Sequence, residues 1–506
     1  MKYSIGIDIG GTHTDAVLVD SQNKIVAATK TETTPSLEQG VKTVIAELLQ
    51  QVDSSAITGI FVGTTHATNA ILERRDLFRV GLIRIAGHRP ESLRPCFEWT
   101  KEMRDTVLVG YETVDGGFEC DGRSITPFCQ KQAAEAAERL IAKGAESIAI
   151  VGVFSPISGD QEKECAEAIV NIPISLSHEI GGVGFIEREN ATILNAALKQ
   201  PMEKGFRNLE KARDALGLSC PLYVTQNDGS LIDLQQAIAY PLLTVSAGPT
   251  NSFIGACQLA KVKDAIVIDI GGTSTDIGLI RNGYPQRSIS NAQIGGVSLN
   301  FRMPDVLALA LGGGSYIQEK KIGPRSAGSR LMQEAKVFGG ASLTMTDVAY
   351  KAGCLDLPQG NFDRIGISQS FTHEVMQKAT EMIQSGICVM RGNRKDLPVI
   401  VVGGGAGIAS YDGTEVVIPD FAAVANAYGA ALAEVAATVE TVVSLEDREK
   451  TLDRLKQQAL QEALQKGAKD PRVVDLKVVP YHYMPNQLAR VIVTASGVWA
   501  KPFGVR

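Results

Sequence analysis

The chain has 506 residues, of which 44% are hydrophobic and 21% charged, and its formal net charge is -6. That length leaves room for two or three domains with sizeable cores, and the composition is that of a folded chain, which excludes extensive disorder. The mild negative balance, with no basic run, excludes nucleic acid and anionic membranes as expected partners.

The first residues, Met-Lys-Tyr-Ser-Ile, lead at once to Asp8 with no apolar stretch or cleavage site, so no secretory signal is expected and the cytoplasm is the expected location. The segment Ile5-Gly6-Ile7-Asp8-Ile9-Gly10-Gly11-Thr12-His13-Thr14-Asp15 reads as a strand, a glycine turn and a second strand. Further strands are predicted over Ala16 to Val19 and Lys24 to Thr31, then a helix from Leu37 to Leu49 and a strand Ile57 to Val62. Residues near 80 to 180 read as an inserted α/β subdomain, with helices Gln130 to Lys143 and Asp160 to Val170 around the strand Ser147 to Phe154. Glu187 to Leu216 has a long helical pattern that Pro201 is expected to interrupt.

The opening motif then returns as Ile266-Val267-Ile268-Asp269-Ile270-Gly271-Gly272-Thr273-Ser274-Thr275-Asp276; between Asp8 and Asp15, only His13 against Ser274 differs. Such a spacing is too long for a solenoid and predicts two domains of common ancestry. An apolar strand from Pro398 leads into Gly403-Gly404-Gly405-Ala406-Gly407, and the alanine-rich stretch Val424 to Val443, broken by Asn426, Glu434 and Glu440, reads as a packed helix and not a membrane span. A charged amphipathic helix, Leu445 to Gly467, and strands Arg472 to Pro480 and Leu488 to Ala495 form a small α+β appendage. The expected domains are 1–180, 181–440 and 441–506. The eight cysteines, at 96, 120, 129, 165, 220, 257, 354 and 388, lack metal-type spacing and are expected as reduced thiols.

The repeated segment carries the chemistry. Gly10, Gly11, Gly271 and Gly272 let backbone amides approach a phosphate, and Thr12, Thr14, Thr273 and Thr275 add hydroxyl donors. Asp8 and Asp269, at the strand ends, are the candidate magnesium ligands, through water. Asp15 and Asp276 rank below them as ordinary hairpin residues, and His13 is assigned no chemistry. A tight hairpin explains one glycine pair; two near-identical copies favour a nucleotide. Gly403, Gly404 and Gly405 offer a flat backbone surface for adenosine. His66, beside Thr64, Thr65 and Thr68, and Glu187, opening the long helix, are the candidate catalytic side chains, although both also suit helix capping or a solvated face.

Two phosphate hairpins and a late adenosine turn resemble the superfamily of actin, sugar kinases, acetate kinase and chaperone ATPases. More narrowly, the chain resembles the A-type half of the ATP-dependent hydantoinase/oxoprolinase family, through Gly63-Thr64-Thr65-His66-Ala67-Thr68-Asn69-Ala70, Glu187-Arg188-Glu189-Asn190, Ser246-Ala247-Gly248-Pro249, Leu311-Gly312-Gly313-Gly314-Ser315 and Gly323-Pro324-Arg325-Ser326-Ala327-Gly328. It departs from many members at Ser329 to Val337, which replaces a Pro-Gly-Pro-Ala-Cys-Tyr-Gly segment. The resemblance implies duplicated ribonuclease-H-like ATPase lobes around a cleft, ATP and Mg2+ as cofactors, phosphorylation of a cyclic amide for ring opening, and a B-type partner in an oligomer. The alternatives from the residues alone are a small-molecule kinase and a non-enzymatic ATP-driven switch.

Overall fold

The computed structural model describes residues 1–33, 37–87, 93–286, 288, 292–300, 303–394, 396–409, 411, 415–481 and 487–499. Strand Tyr3–Ile9 pairs antiparallel with His13–Asp20, placing Asp8 opposite Asp15, and parallel with Ile57–Thr64, placing Asp8 beside Gly63. The second copy repeats this geometry. Ala265–Ile270 pairs antiparallel with Thr275–Arg281, Asp269 opposite Asp276, and parallel with Val399–Val402, Asp269 beside Val402. The sequence repeat is therefore a repeat of sheet register, and the expected duplicated lobes of the actin/sugar-kinase architecture are present.

The first sheet runs in the order Leu231–Asp233, Leu222–Thr225, Ile57–Thr64, Tyr3–Ile9, His13–Asp20, Ile25–Glu32, so by sheet membership the first lobe extends to Asp233. The second runs Tyr284–Pro285, Thr275–Arg281, Ala265–Ile270, Val399–Val402, Val416–Val417. Both central strands are apolar along their length, with Ile5, Ile7, Ile266 and Ile268 fully buried, as befits strands covered on both faces.

The inserted subdomain is a parallel sheet ordered Leu108–Val114, Val80–Ile85, Ser147–Gly152, Ile174–Leu176. Helix Phe185–Ala215 anchors it. The fully buried Arg188 donates to the Gly152 carbonyl at 2.6 Å and to Ser177 Oγ at 2.9 Å. Glu189 receives a bidentate grip from Arg84 at 2.6 and 2.7 Å, and Asn190 accepts from the Trp99 indole at 2.9 Å. Breaking such buried pairs is costly, so this polar cluster fixes the subdomain's orientation. The helix does not break at Pro201 as expected; it continues through it, because the buried residues on either side, Ala197, Leu198, Met202 and Phe206, hold it against the core.

A second expectation also fails. Val424 to Val443 is not one helix: Ala425–Ala431 is helical, and Val435–Ser444 is a strand with Val435, Ala437 and Val439 buried in alternation. That strand joins Leu488–Trp499 and Ala468–Pro480 in a three-stranded sheet backed by helix Arg448–Gln465. All eight cysteines are free thiols. Among the described residues no helix is long and apolar enough to cross a membrane.

The lobes meet where helix Ala247–Ala260 crosses helix Ala425–Ala431. A side chain at Gly255 would place its first carbon 1.9 Å from the Ala425 carbonyl oxygen, and one at Gly429 would sit 1.8 Å from that of Asn251. Backbone packs on backbone here, and no side chain fits. Gly255→Ala or Gly429→Ala is expected to destabilise the protein by about 2–3 kcal/mol in denaturant unfolding, whereas Gly366→Ala, which meets open space, stays within about 0.5 kcal/mol.

Candidate functional site

Each hairpin closes through one backbone bond, Gly10 N–H to the His13 carbonyl at 3.0 Å and Gly271 N–H to the Ser274 carbonyl at 2.9 Å. The tips face each other: a Cβ at Gly272 would lie 2.8 Å from Thr12 Cγ2 and Oγ1. Between them opens a cleft of about 410 Å3 lined by Asp8, Gly10, Gly11, Thr12, His13, Asp15, Asp269, Gly271, Gly272, Thr273 and Gly403 to Gly405. The three glycine turns, far apart in sequence, thus line one cavity. Gly403 has φ near +90°, and a Cβ there would strike Asp269 Oδ1 and the Ile270 carbonyl oxygen, both at 2.4 Å; only glycine lets this turn rest on the strand end.

Thr14 and Thr275 are not in the lining, contrary to the expectation that they serve as phosphate donors. Both are buried behind the turns, Thr14 Oγ1 lying 3.4 Å from Thr33 Oγ1 and Thr275 donating to the Leu311 carbonyl at 2.6 Å. Thr12 and Thr273 sit in the turns, before the strands begin; in the first strand His13 and Asp15 face the cleft, so Thr14 between them faces inward by alternation. The Leu311–Ser315 turn supports the second hairpin from below, with Gly313 N–H and Gly314 N–H donating to the Gly271 and Gly272 carbonyls at 3.0 and 2.6 Å.

His66 and Glu187 are not brought to this cleft. The His66 imidazole hydrogen-bonds the Pro201 carbonyl, and burial holds its pKa below the ordinary value against the opposing charge of Asp76. Its backbone N–H donates to Thr64 Oγ1 at 3.1 Å, so the residue opens a helix, His66–Glu73. Glu187 lies at the start of the long helix, beside Gly184, and Arg188, Glu189 and Asn190 after it are committed to holding the inserted subdomain.

The cleft is strongly acidic. Burial pushes the Asp8 carboxyl well above the usual carboxylate range, and the charges of Asp15 and Asp269 push it the same way. Asp15 and Asp269 are raised by burial too, the latter against a hydrogen bond from Ser252. Burial, then Asp269, push Asp276 up to about 7. His13 is held down to about 4 by burial and by the charge of Lys30, so it is neutral at physiological pH.

A divalent cation fits this donor set. Asp8 Oδ1 is buried without a hydrogen-bond partner among the described residues, and three mutually repelling carboxylates are relieved by positive charge. Among the described residues no three His, Cys, Asp or Glu side chains form a metal-holding group. The ion suited here is therefore one held by one or two carboxylates through water and by phosphate oxygens, as magnesium is.

Sequence reasoning missed two features. Lys30, on Ile25–Glu32, stands in register with Asp15 and reaches its Oδ1 at 3.1 Å; an alternating strand of Ala, Thr and Lys gives no motif, and only the pairing reveals it. The second is an apolar wall of Leu331, Met332, Phe338, Leu355, Leu357 and Ile408 along the second-lobe side, beside the 403–405 turn. Part of it comes from Ser329 to Val337, the stretch in which this chain departs from many of the proteins it resembles.

The raised Asp276 has a testable consequence. A carboxyl with folded pKa near 7 and unfolded pKa near 3.8 contributes stability in its protonated form; that contribution is complete below about pH 4 and is lost as pH rises to 7. In metal-free protein, Asp276→Asn is expected to match the wild type in unfolding free energy near pH 4. It should exceed it increasingly up to pH 7, by at most about 4 kcal/mol, and then by a constant margin.

The hydantoinase/oxoprolinase N-terminal region matches residues 4–172, and the hydantoinase/oxoprolinase domain matches residues 188–387. The acetophenone carboxylase gamma subunit of Aromatoleum aromaticum is 26% identical over 404 residues, covering 70% of this chain and 53% of its own. The alpha subunit of caprolactamase from Pseudomonas jessenii is 26% identical over 384 residues, covering 70% and 55%. The chain spans about half the length of the curated relatives it matches. The crystal structure of the ATP-dependent caprolactamase from Pseudomonas jessenii superposes with a TM-score of 0.75 at 20% identity, over 99% of this chain and 88% of that one, a likeness of fold.

Proposed function

The chain belongs to the hydantoinase/oxoprolinase family, and from that premise we propose that it is the ATP-using component of an enzyme that activates a small cyclic amide, a hydantoin, 5-oxoproline or another lactam, for ring opening. The observation that carries this reading is the convergence of Asp8, Asp269 and three glycine turns on one acidic cleft between duplicated lobes.

A ring amide resists water because nitrogen donates into the carbonyl and is a poor leaving group. Transfer of the γ-phosphoryl group to the carbonyl oxygen forms an O–P bond, breaks the β,γ-bridging O–P bond, releases ADP and leaves an imidate phosphate. Water then adds at that carbon, the C–N bond opens as the nitrogen takes up a proton, and the acyl phosphate left behind is hydrolysed by a second water to carboxylate and phosphate. In this reading the backbone amides of Gly11, Thr12, Gly272 and Thr273 and the hydroxyls of Thr12 and Thr273 hold the phosphates in line, stabilising charge as it builds on the transferring group. Asp8 and Asp269 would hold a magnesium ion, which would supply positive charge against the phosphates. Asn426 and Thr65, on the first-lobe wall of the cleft, face the place where an acceptor carbonyl would sit. Asn426 Oδ1 is buried and lacks a hydrogen-bond partner among the described residues, which leaves it available to an amide N–H. The apolar wall of the second lobe takes the adenine.

That the relatives from Aromatoleum and Pseudomonas are named as subunits supports a multi-subunit assembly, in which a B-type partner would complete the ring opening. A ketone carboxylase shares the first step, since its substrate also offers a carbonyl oxygen. ADP and phosphate release from Mg-ATP, measured against hydantoins, 5-oxoproline, other lactams, ketones with bicarbonate, and sugars, with and without a B-type partner, decides between them. Stimulation by a cyclic amide, falling about 100-fold or more in Asp8→Ala and Asp269→Ala, is the expected result. Stimulation by a ketone with bicarbonate makes the enzyme a carboxylase, and a stable phosphorylated sugar or acid makes it a kinase.

A further inference from the structure

Lys30 is the one lysine or arginine among the described residues that line the cleft, which also carries Asp8, Asp15, Asp269 and Asp356. A nucleoside triphosphate brings further negative charge into this surface. One bound divalent ion offsets only part of that, so a side-chain cation at the phosphates has a large electrostatic advantage.

The Lys30 side chain is placed to do so. It leaves the first lobe from a strand pinned in register with Asp15, and its Nζ lies 3.1 Å from Asp15 Oδ1 and 3.3 Å from Oδ2. It extends across to the second lobe, ending 3.5 Å from where a Cβ of Gly404 would be. The pair is not sealed in: the Lys30 side chain keeps 36% of its surface exposed, so the ammonium can change partners without crossing a packed core. Direction follows from the walls. The large apolar side chains of the lining belong to the second lobe, so a nucleoside seated on them would send its polyphosphate toward the first-lobe hairpin, where Lys30 originates.

We propose that Lys30 leaves Asp15 for the terminal phosphate when a nucleoside triphosphate binds, making it the side chain that distinguishes triphosphate from diphosphate and that meets the charge on the transferring group. This rests on the reading of the cleft as a nucleotide site. Asp15 then holds the ammonium in place between turnovers, a positioning role.

Calorimetric titration of the full chain with the magnesium complexes of a non-hydrolysable ATP analogue and of ADP tests it. In Lys30→Gln the analogue is expected to bind about tenfold or more weakly, the loss typical of a charge-assisted hydrogen bond, while ADP stays within about threefold of the wild type and the melting temperature holds; Lys30→Arg recovers part of the loss. Equal weakening of both ligands, or unchanged binding of both, overturns the inference and leaves Lys30 a structural partner of Asp15. A wild type that binds neither nucleotide overturns the nucleotide reading itself, whereas a wild type that binds both, with an insensitive Lys30→Gln, overturns this inference alone.

Discussion

Everything in this molecule that concerns the cleft hangs on the bare-backbone contact of two helices, Ala247–Ala260 and Ala425–Ala431, at Gly255 and Gly429. Consecutive residues of the first helix touch opposite lobes. Asn251 donates to Thr225 Oγ1 of the first sheet at 2.8 Å, and Ser252 hydrogen-bonds Asp269 of the second. Two lobes read by neighbouring positions of one rigid helix have little freedom to slide; what remains is a rotation about the crossing. The position of Asp269 relative to Asp8 is therefore set by a contact some distance from either.

Within that frame, the cleft is held in an electrostatically unfavourable state. Burial raises the pKa of three carboxylates, with the charge of Asp15 adding to it at Asp8 and Asp269 and that of Asp269 at Asp8, and a fourth, Asp276, is raised behind them. A structure optimised for stability alone would not keep these groups together, and the strain is relieved by adding cations. Lys30 supplies one unit, already committed largely to Asp15.

How much of this can be read from the chain follows from the range of the forces involved. The hairpins, the 403–405 turn and the inserted subdomain are legible because each is specified locally, by glycines with no alternative and by continuous apolar strands. Lys30 is not, since its significance lies in a cross-strand register that no short window contains. Thr14 and Thr275 fall one step too far along the motif to reach a phosphate, because chemical likeness to Thr12 and Thr273 says nothing about which way a side chain faces once the strand begins. Glu187 to Asn190 resembles a site for a related reason: buried charges are rare and so draw attention, yet here Arg188 and Glu189 serve to dock a subdomain. The Val424 to Val443 stretch misleads because its alanines favour a helix, whereas the change to a strand at residues 432–434 is fixed by pairing with Leu488–Trp499, more than fifty residues on, which overrides that local preference.

The appendage formed by that pairing is more than a tail, because it touches the outer sheet edges of both lobes, and the two contacts differ in kind. Toward the first lobe it is apolar and aromatic: Phe61, Tyr223 and Trp499 pack with ring centroids 5.4 to 6.0 Å apart, and the Trp499 indole donates to Tyr223 Oη at 2.9 Å. Toward the second lobe it is a polar knot, in which Tyr284 Oη donates to Glu434 at 3.1 Å and receives from Arg472 at 2.7 Å, while Ser496 donates to the same carboxylate at 2.6 Å. Arg472 is 55% exposed, so water competes for its bonds and the knot holds weakly, whereas separating the aromatic cluster would expose a large apolar area.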